Sequence, residues 1–269
     1  MIVTIVVAAV ALLLGLIAHH FLRRNDSEAD DEGLSVRDLI GPVQTLTVLI
    51  LAFMLATAAG SYNRAEEAVH NEANATDHLE ETAEFLPNAA QRRRVQADVV
   101  CYTRAVRHSE WPAMVHGRSS PAPSVWTADL RGAFKAIGPD QSVFGMLVGA
   151  DDTRAKARQA RLTESTPAVP AAVYWFMLVL LSITVISLCL CIPRRRNQPQ
   201  LATLAMVTAL LTATLLLVHD AESPFGGAIS VGPAAITDVE HQAARDFHAG
   251  APGAALPCDD RGRKESGAA

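Results

Sequence analysis

Two long apolar runs joined by a short basic turn constrain this chain more than any other feature. AVPAAVYWFMLVLLSITVISLCLCI and LATLAMVTALLTATLLLV flank PRRRNQPQ within residues 168–227. A helix that crosses a bilayer takes about 20 mainly apolar residues, and both runs are near that length. Such a hairpin holds its chain in a membrane, and every other segment has to be placed relative to it.

Two earlier blocks read in the same way. IVTIVVAAVALLLGLIAHHFL covers residues 2–22, and LIGPVQTLTVLILAFMLATAAG covers 39–60. A cleaved signal peptide carries positive charge before its apolar core. Here no charge precedes the run, while His19, His20, Arg23 and Arg24 follow it, so we expect a retained anchor with its N-terminus outside. Pro42 is placed in the first turn of the second block, where proline is tolerated. Ala52, Ala56 and Gly60 recur at every fourth position, with a shorter row at Ala11 and Gly15. Rows of small residues let two membrane helices approach closely, though an alanine-rich chain also produces them by chance. No acidic or basic residue interrupts the interior of any block. Intramembrane ionisable groups mark ion-coupled transport, so their absence argues against a coupled transporter and leaves a channel open.

The segment 61–167 is polar and mostly helical in pattern. Tyr62, Ala65, Val69, Ala73, Thr76, Leu79, Ala83 and Leu86 recur at spacings of three and four, which is one helical face. This helix is expected to continue from the second membrane block and to break at Pro87-Asn88. A second stripe, Val95, Val99, Tyr102 and Val106, ends at Trp111-Pro112. GRSSPAPS, residues 117–124, reads as a loop, and one or two helices follow through residue 161 with Gly138-Pro139 between them. A short amphipathic helix is expected from Pro233, and residues 249–269 hold too little apolar surface to be expected to order. The fold class is therefore all-α: a polytopic membrane protein with four transmembrane helices and a helical extramembrane domain. Its parts are 1–60 (two spans and a polar loop), 61–167 (the domain), 168–227 (the hairpin) and 228–269 (helix and tail).

Charge sets the expected orientation. Arg23, Arg24 and Arg37 lie between the first two spans, and Arg194, Arg195 and Arg196 lie between the last two. Short cytoplasmic loops carry the arginine and lysine excess. In a cell membrane this puts the N-terminus, the 61–167 domain and the C-terminus on the extracytoplasmic side. Arg154, Lys156, Arg158 and Arg161, just before the third span, oppose that assignment, although long segments count less in the rule. The net charge of -5 shows no basic footprint for nucleic acid, so the expected partners are the lipid bilayer and further copies of the chain. Four cysteines are too few for a disulfide scaffold. Cys189 and Cys191 belong to an apolar run. Cys101 and Cys258 pair only if both reach an oxidising compartment, and nothing in the local sequence brings them together.

Few residues suggest catalysis. Glu66, His70, Asn74 and His78 would share a helical face and could present a zinc site, but a solvated polar face accounts for them more simply. Arg92, Arg93 and Arg94 open a helix, where positive charge opposes the macrodipole; Glu80, Glu81 and Glu84 are their expected partners. No GxSxG, P-loop, CxxC or HExxH signature is present, which points away from an enzyme, and no cofactor is implied.

Two local patterns are more specific. CYTRAVRHSEWPAMVHG, residues 101–117, contains Tyr102, Val106, Glu110, Trp111 and Pro112. ESPFGGAISVGP, residues 222–233, contains Glu222, Pro224, Phe225 and Gly226. Taken as residues alone, these are structural: Pro224 stops the last span, Phe225 anchors at the membrane interface, the glycines allow a turn, and Glu110 and Trp111 close a helix end. With the four-span layout, the chain resembles the bestrophin-like domain family of bacterial and plant membrane proteins. Members share Tyr-x3-Val-x3-Glu-Trp-Pro and, just after the last span, an acid followed by Pro-Phe and a glycine. The resemblance implies an oligomeric anion channel with both termini and the helical domain on one side. In true bestrophins that side is cytoplasmic, whereas the arginines here favour the outside. A scaffold or sensor binding a partner through 61–167 is the alternative.

Overall fold

In the computed structural model the described residues are 2–25, 36–166, 170–191 and 198–265. They form α1 (Ile2–Asn25), α2 (Val36–Glu84), α3 (Ala89–Ala105), a π turn (Val106–Glu110), α4 (Trp111–Met114), α5 (Ala122–Ile137), α6 (Ser142–Glu164), α7 (Ala171–Leu190), α8 (Gln198–Ala221) and α9 (Ala234–Gly250). The described residues contain no strand, as the all-α reading expects. The chain divides into two compact units, Met1–Gly60 with Ala168–Glu222, and Ser61–Pro167 with Ser223–Ala269.

The first unit is a membrane bundle. Among the described residues, four helices are long and apolar enough to cross a bilayer: α1, α2, α7 and α8. Leu13, Phe53, Phe176 and Leu210 lie exposed on their outer faces, a distribution that suits lipid and not water. Ala11, Leu51, Met54, Leu178, Leu181 and Val185 fill the interior. α1 packs along α7 with Gly15 at the seam: a Cβ there would meet Cys189 Sγ at 2.7 Å and the Ile186 backbone at 3.2 Å. The short row Ala11/Gly15 is thus a true close-approach surface. Ala52 and Ala56 are exposed instead, because Leu51, Met54 and Ala58 turn the opposite face of α2 inward. Thr47 and Thr184 hydroxyls satisfy one another at 2.8 Å within the bundle. Pro42 falls inside α2 and not in its first turn, since that helix begins six residues earlier at Val36. The Arg194–Arg196 turn lies outside the described residues.

The second unit is a helical bundle whose core follows the sequence stripes. Ala65, Val69, Ala73, Thr76, Leu79 and Ala83 of α2 are buried, as are Leu86 just beyond it and Val95, Val99, Tyr102 and Val106. α2 ends at Glu84, and α3 restarts with Asn88, whose side-chain oxygen accepts from the Ala90 and Gln91 N–H groups. This cap satisfies two of the donors that every helix start leaves open. α3 packs against α5 and α9. Gly138 ends α5 at φ 83°, a left-handed backbone that favours glycine. The loop expected over 117–124 is shorter than its composition suggests, because Ala122 to Ser124 already form the first turn of α5; Pro123 there needs no N–H partner.

The tail corrects an expectation of disorder. Cys101 and Cys258 form a disulfide with Cα atoms 5.8 Å apart, tying the chain after α9 to α3. Trp126 donates its indole N–H to the Gly262 carbonyl at 2.8 Å, and Lys264 Nζ donates to Asp129 at 2.7 Å. Gly262, at φ 69°, lies so close to the Ala105 backbone that a side chain has no room. A covalent link and these few contacts order a segment too polar to order itself.

The expected pairing of Arg92, Arg93 and Arg94 with Glu80, Glu81 and Glu84 is not found among the described residues. Arg92 donates to the Leu86 carbonyl, Glu80 accepts from Gln96, and Glu81 faces His78. On the same helix Asp98 is buried, and one of its oxygens has no hydrogen-bond partner. Burial, reinforced by the Asp129 charge, pushes its pKa up to about 7, with Arg94 and Lys264 opposing. The folded state therefore holds a proton that the unfolded chain releases near pH 4. The stability this proton contributes is present below that pH and is lost as pH rises through 7. In thermal unfolding of the detergent-solubilised protein, the difference between wild type and Asp98→Asn should change steadily from pH 4 to 7.5, the variant gaining relative to wild type. A difference independent of pH would show that Asp98 does not titrate there.

Candidate functional site

The most concentrated chemistry in the second unit is a buried cluster of Glu72, Tyr102, Glu110, Arg154, Arg158 and Arg161. Glu72 lies on α2 within the register of the apolar stripe, three residues beyond Val69 and four before Thr76. Arg154 and Arg161 stand in the register of Leu147 and Ala150 on α6. A helix brings positions three, four and seven apart to one face, so all of these charges are carried inward with the core.

Glu110 arrives by a different route. The Trp111 N–H reaches back to the Val106 carbonyl, one residue further than in an α-helix. Pro112 explains the wider turn: it has no N–H to return to the His108 carbonyl in an α register. The π turn that results is inserted between α3 and α4 and places Glu110 in the core with no exposure.

The network is closely bonded. Arg161 Nε donates to Glu72 Oε2 at 2.5 Å, and its Nη2 donates to Glu110 Oε2 at 2.5 Å. Arg158 forks onto Glu110, with Nη2 to Oε1 at 2.6 Å and Nε to Oε2 at 3.2 Å. The Tyr102 hydroxyl donates to Glu72 Oε1 at 2.6 Å. Arg154 donates to Asp151 at 2.9 and 2.5 Å and lies over the Tyr102 ring at 4.4 Å, while Arg161 lies 5.4 Å from the Trp111 ring centroid. Burial works against the Arg161 charge, but the charge and hydrogen bond of Glu72, joined by Glu110, more than offset it and raise its pKa. For Tyr102, burial and the Glu72 charge both raise the pKa, so the phenol stays protonated and remains a donor.

The two sequence motifs meet at this cluster. Trp111 packs edge-to-face on Phe225 with ring centroids 5.5 Å apart. Phe225 is buried in the same core as Tyr102 and Met114, and does not serve as an anchor at the membrane interface. Pro224 is buried, and its carbonyl accepts from Val231 at 2.7 Å; the Ser223 carbonyl accepts from Gly226 and Gly227. Gly226 is demanded by space, since a Cβ would come within 2.9 Å of the Val115 carbonyl. Tyr102, Glu110, Trp111, Pro112, Pro224, Phe225 and Gly226 thus lie in one unit. Glu222 does not join them: it belongs to the membrane unit, where its carboxylate lies 3.7 Å from His219 Nδ1. The Glu66, His70, Asn74 and His78 row is exposed, and among the described residues no group of His, Cys, Asp and Glu is arranged to hold a metal ion.

Glu72, Asp151, Arg154 and Arg161 are the members that motif reading misses. Their signal was the stripe itself: a charge in an apolar register is a charge that folds inward and must find a partner. Breaking such a pair by removing one partner costs about 3–5 kcal/mol, because the other charge is left buried. Arg161→Met should therefore lower the thermal stability of the purified protein steeply, whereas Lys156→Met, on the exposed face of α6, should change it little. Equal effects of the two substitutions would remove the network from its structural role.

Comparison with known proteins follows the same lines. A family model described as Bestrophin-like domain matches residues 5–236. Among curated proteins none matches. Among solved structures, a point mutant of a bacterial bestrophin homologue from Klebsiella pneumoniae is similar at TM-score 0.70 and 13% identity, covering 92% of this chain and 98% of that one. The same homologue, solved by zinc phasing, is similar at TM-score 0.69 and 12% identity, covering 91% of this chain and 98% of that one. At such identities the likeness is one of fold.

Proposed function

The chain belongs to the bestrophin-like family, and from that premise we propose that it is a subunit of a homo-oligomeric anion channel in the cell membrane. The observation that carries this reading is the fold likeness, which runs through nearly the whole of both chains and includes the four apolar helices. The exposed small residues Ala52 and Ala56 leave α2 a face on which a second copy can approach. The motif residues Tyr102, Glu110, Trp111, Pro112, Pro224, Phe225 and Gly226 act in this reading as a structural clamp, and Glu222 marks the exit of α8. Residues 61–167 with the segment from Ser223 onward form the extramembrane part.

The orientation we propose is extracytoplasmic for the N-terminus, that extramembrane part and the C-terminus. The Cys101–Cys258 disulfide supports it, because such bonds persist in oxidising compartments and are rare in the cytosol. The basic residues before the third span no longer weigh against it. Arg154 and Arg161 are buried, Arg158 is mostly so, and each is bonded to a carboxylate of the same unit, so they are not exposed basic residues flanking the third span.

Purified protein reconstituted in planar bilayers should carry chloride current. Silence across a wide range of voltage and pH, with incorporation verified, would count decisively against the channel. For orientation, Ser119→Cys places a thiol on the exposed loop before α5. A membrane-impermeant maleimide should label it in intact cells; labelling only after lysis would reverse the proposed sidedness.

A further inference from the structure

Between α5 and α6 the second unit holds a cavity of about 480 Å³ whose charged lining is all of one sign: Arg131, Lys135, Arg154 and Arg158. Among the described residues no acidic side chain lines it, and the Ser124 hydroxyl adds a neutral donor, while that of Thr127 is already given to the Pro123 carbonyl. Arg154 is the decisive member. It is only 1% exposed, its Nε and Nη2 are taken by Asp151 and Thr127, and its Nη1 is buried with no hydrogen-bond partner. Buried guanidinium donors are seldom left unsatisfied in native proteins, and Arg154 is among the residues that line this cavity.

The charge balance points the same way. Arg131, Lys135, Arg154, Arg158 and Arg161 set five positive charges against three carboxylates, Glu72, Glu110 and Asp151. The other acids of α6 do not close the gap, since Asp152 is paired with Lys156 and Glu164 with Arg64. The excess of two positive charges, carried by the exposed Arg131 and Lys135, suits a dianion.

We propose that this cavity binds a phosphate-class oxyanion, either inorganic phosphate or the phosphate of a monoester. A phosphate carries nearly two charges at neutral pH, and its tetrahedral oxygens accept from several guanidinium and hydroxyl donors at once. Arginine forks suit that geometry, while chloride offers neither the charge nor the directional acceptors. The volume exceeds inorganic phosphate and leaves room for a small organic substituent. The site lies wholly within the second unit and does not rest on the channel reading.

Full-length protein in detergent, in a phosphate-free buffer at constant ionic strength, is titrated calorimetrically with sodium phosphate, glycerol 3-phosphate and, as control, sodium chloride. Arg131 and Lys135 are exposed, so Arg131→Gln with Lys135→Gln should leave the unliganded melting temperature near that of wild type. We expect phosphate to bind, chloride not to, and the double variant to bind phosphate at least tenfold more weakly. Phosphate heats no larger than those of chloride, or a double variant within twofold of wild type, would overturn the proposal. A second arm repeats the titration in phosphatidylcholine nanodiscs with and without phosphatidic acid. Loss of soluble phosphate binding when phosphatidic acid is present assigns the site to a lipid headgroup; unchanged binding assigns it to a soluble ligand.

Discussion

Arg161 shares one guanidinium between Glu72 and Glu110, with all three side chains fully buried, and most of the extramembrane unit is arranged so that this can happen. A charge removed from water is costly unless it is paired and its remaining hydrogen-bonding groups are filled. Each neighbour of Arg161 answers part of that requirement. Tyr102 donates to Glu72, Arg158 forks onto Glu110, and the Trp111 ring lies beneath the guanidinium. Because bond lengths and fork geometry tolerate little sliding, the network sets the relative register of α2, the π turn and α6, which apolar packing alone specifies less sharply.

The same constraint explains why two motifs more than a hundred residues apart belong together. Pro112 forces the wider turn that turns Glu110 inward and leaves Trp111 next in line. Trp111 then needs an apolar partner, and Phe225 supplies it from the segment after α8. For Phe225 to reach that position the chain must turn tightly against Val115, and only a residue without a side chain fits there, which is Gly226. Glu-Trp-Pro and Pro-Phe-Gly are two halves of one contact. Glu222, just upstream, serves the other unit.

Much of the secondary structure was legible because burial imposes periodicity. The α2 and α3 stripes came out buried nearly residue for residue, and the four apolar runs became helices. The misreadings have a common origin in long-range contact. Arg154 and Arg161 looked like members of a basic run before the third span, since their partners lie on other turns and other helices, up to 89 residues away. The tail looked disordered because it has little to bury, and the bond that holds it joins cysteines 157 residues apart. Small-residue rows were legible on both α1 and α2, but packing made Gly15 on α1 the close approach and left Ala52 and Ala56 exposed.

By itself the sequence determined the spans, the class of fold and the helical faces, because bilayer thickness and helical pitch act on local runs of residues. It also carried the two motifs on which the family resemblance rests. Only the tertiary structure decided which charges are buried, that Cys101 meets Cys258, that the two motifs share one core, and that α5 and α6 line a cationic cleft. Those outcomes depend on which distant residues become neighbours in space. That pairing is set by the packing of whole helices, which a local pattern does not encode.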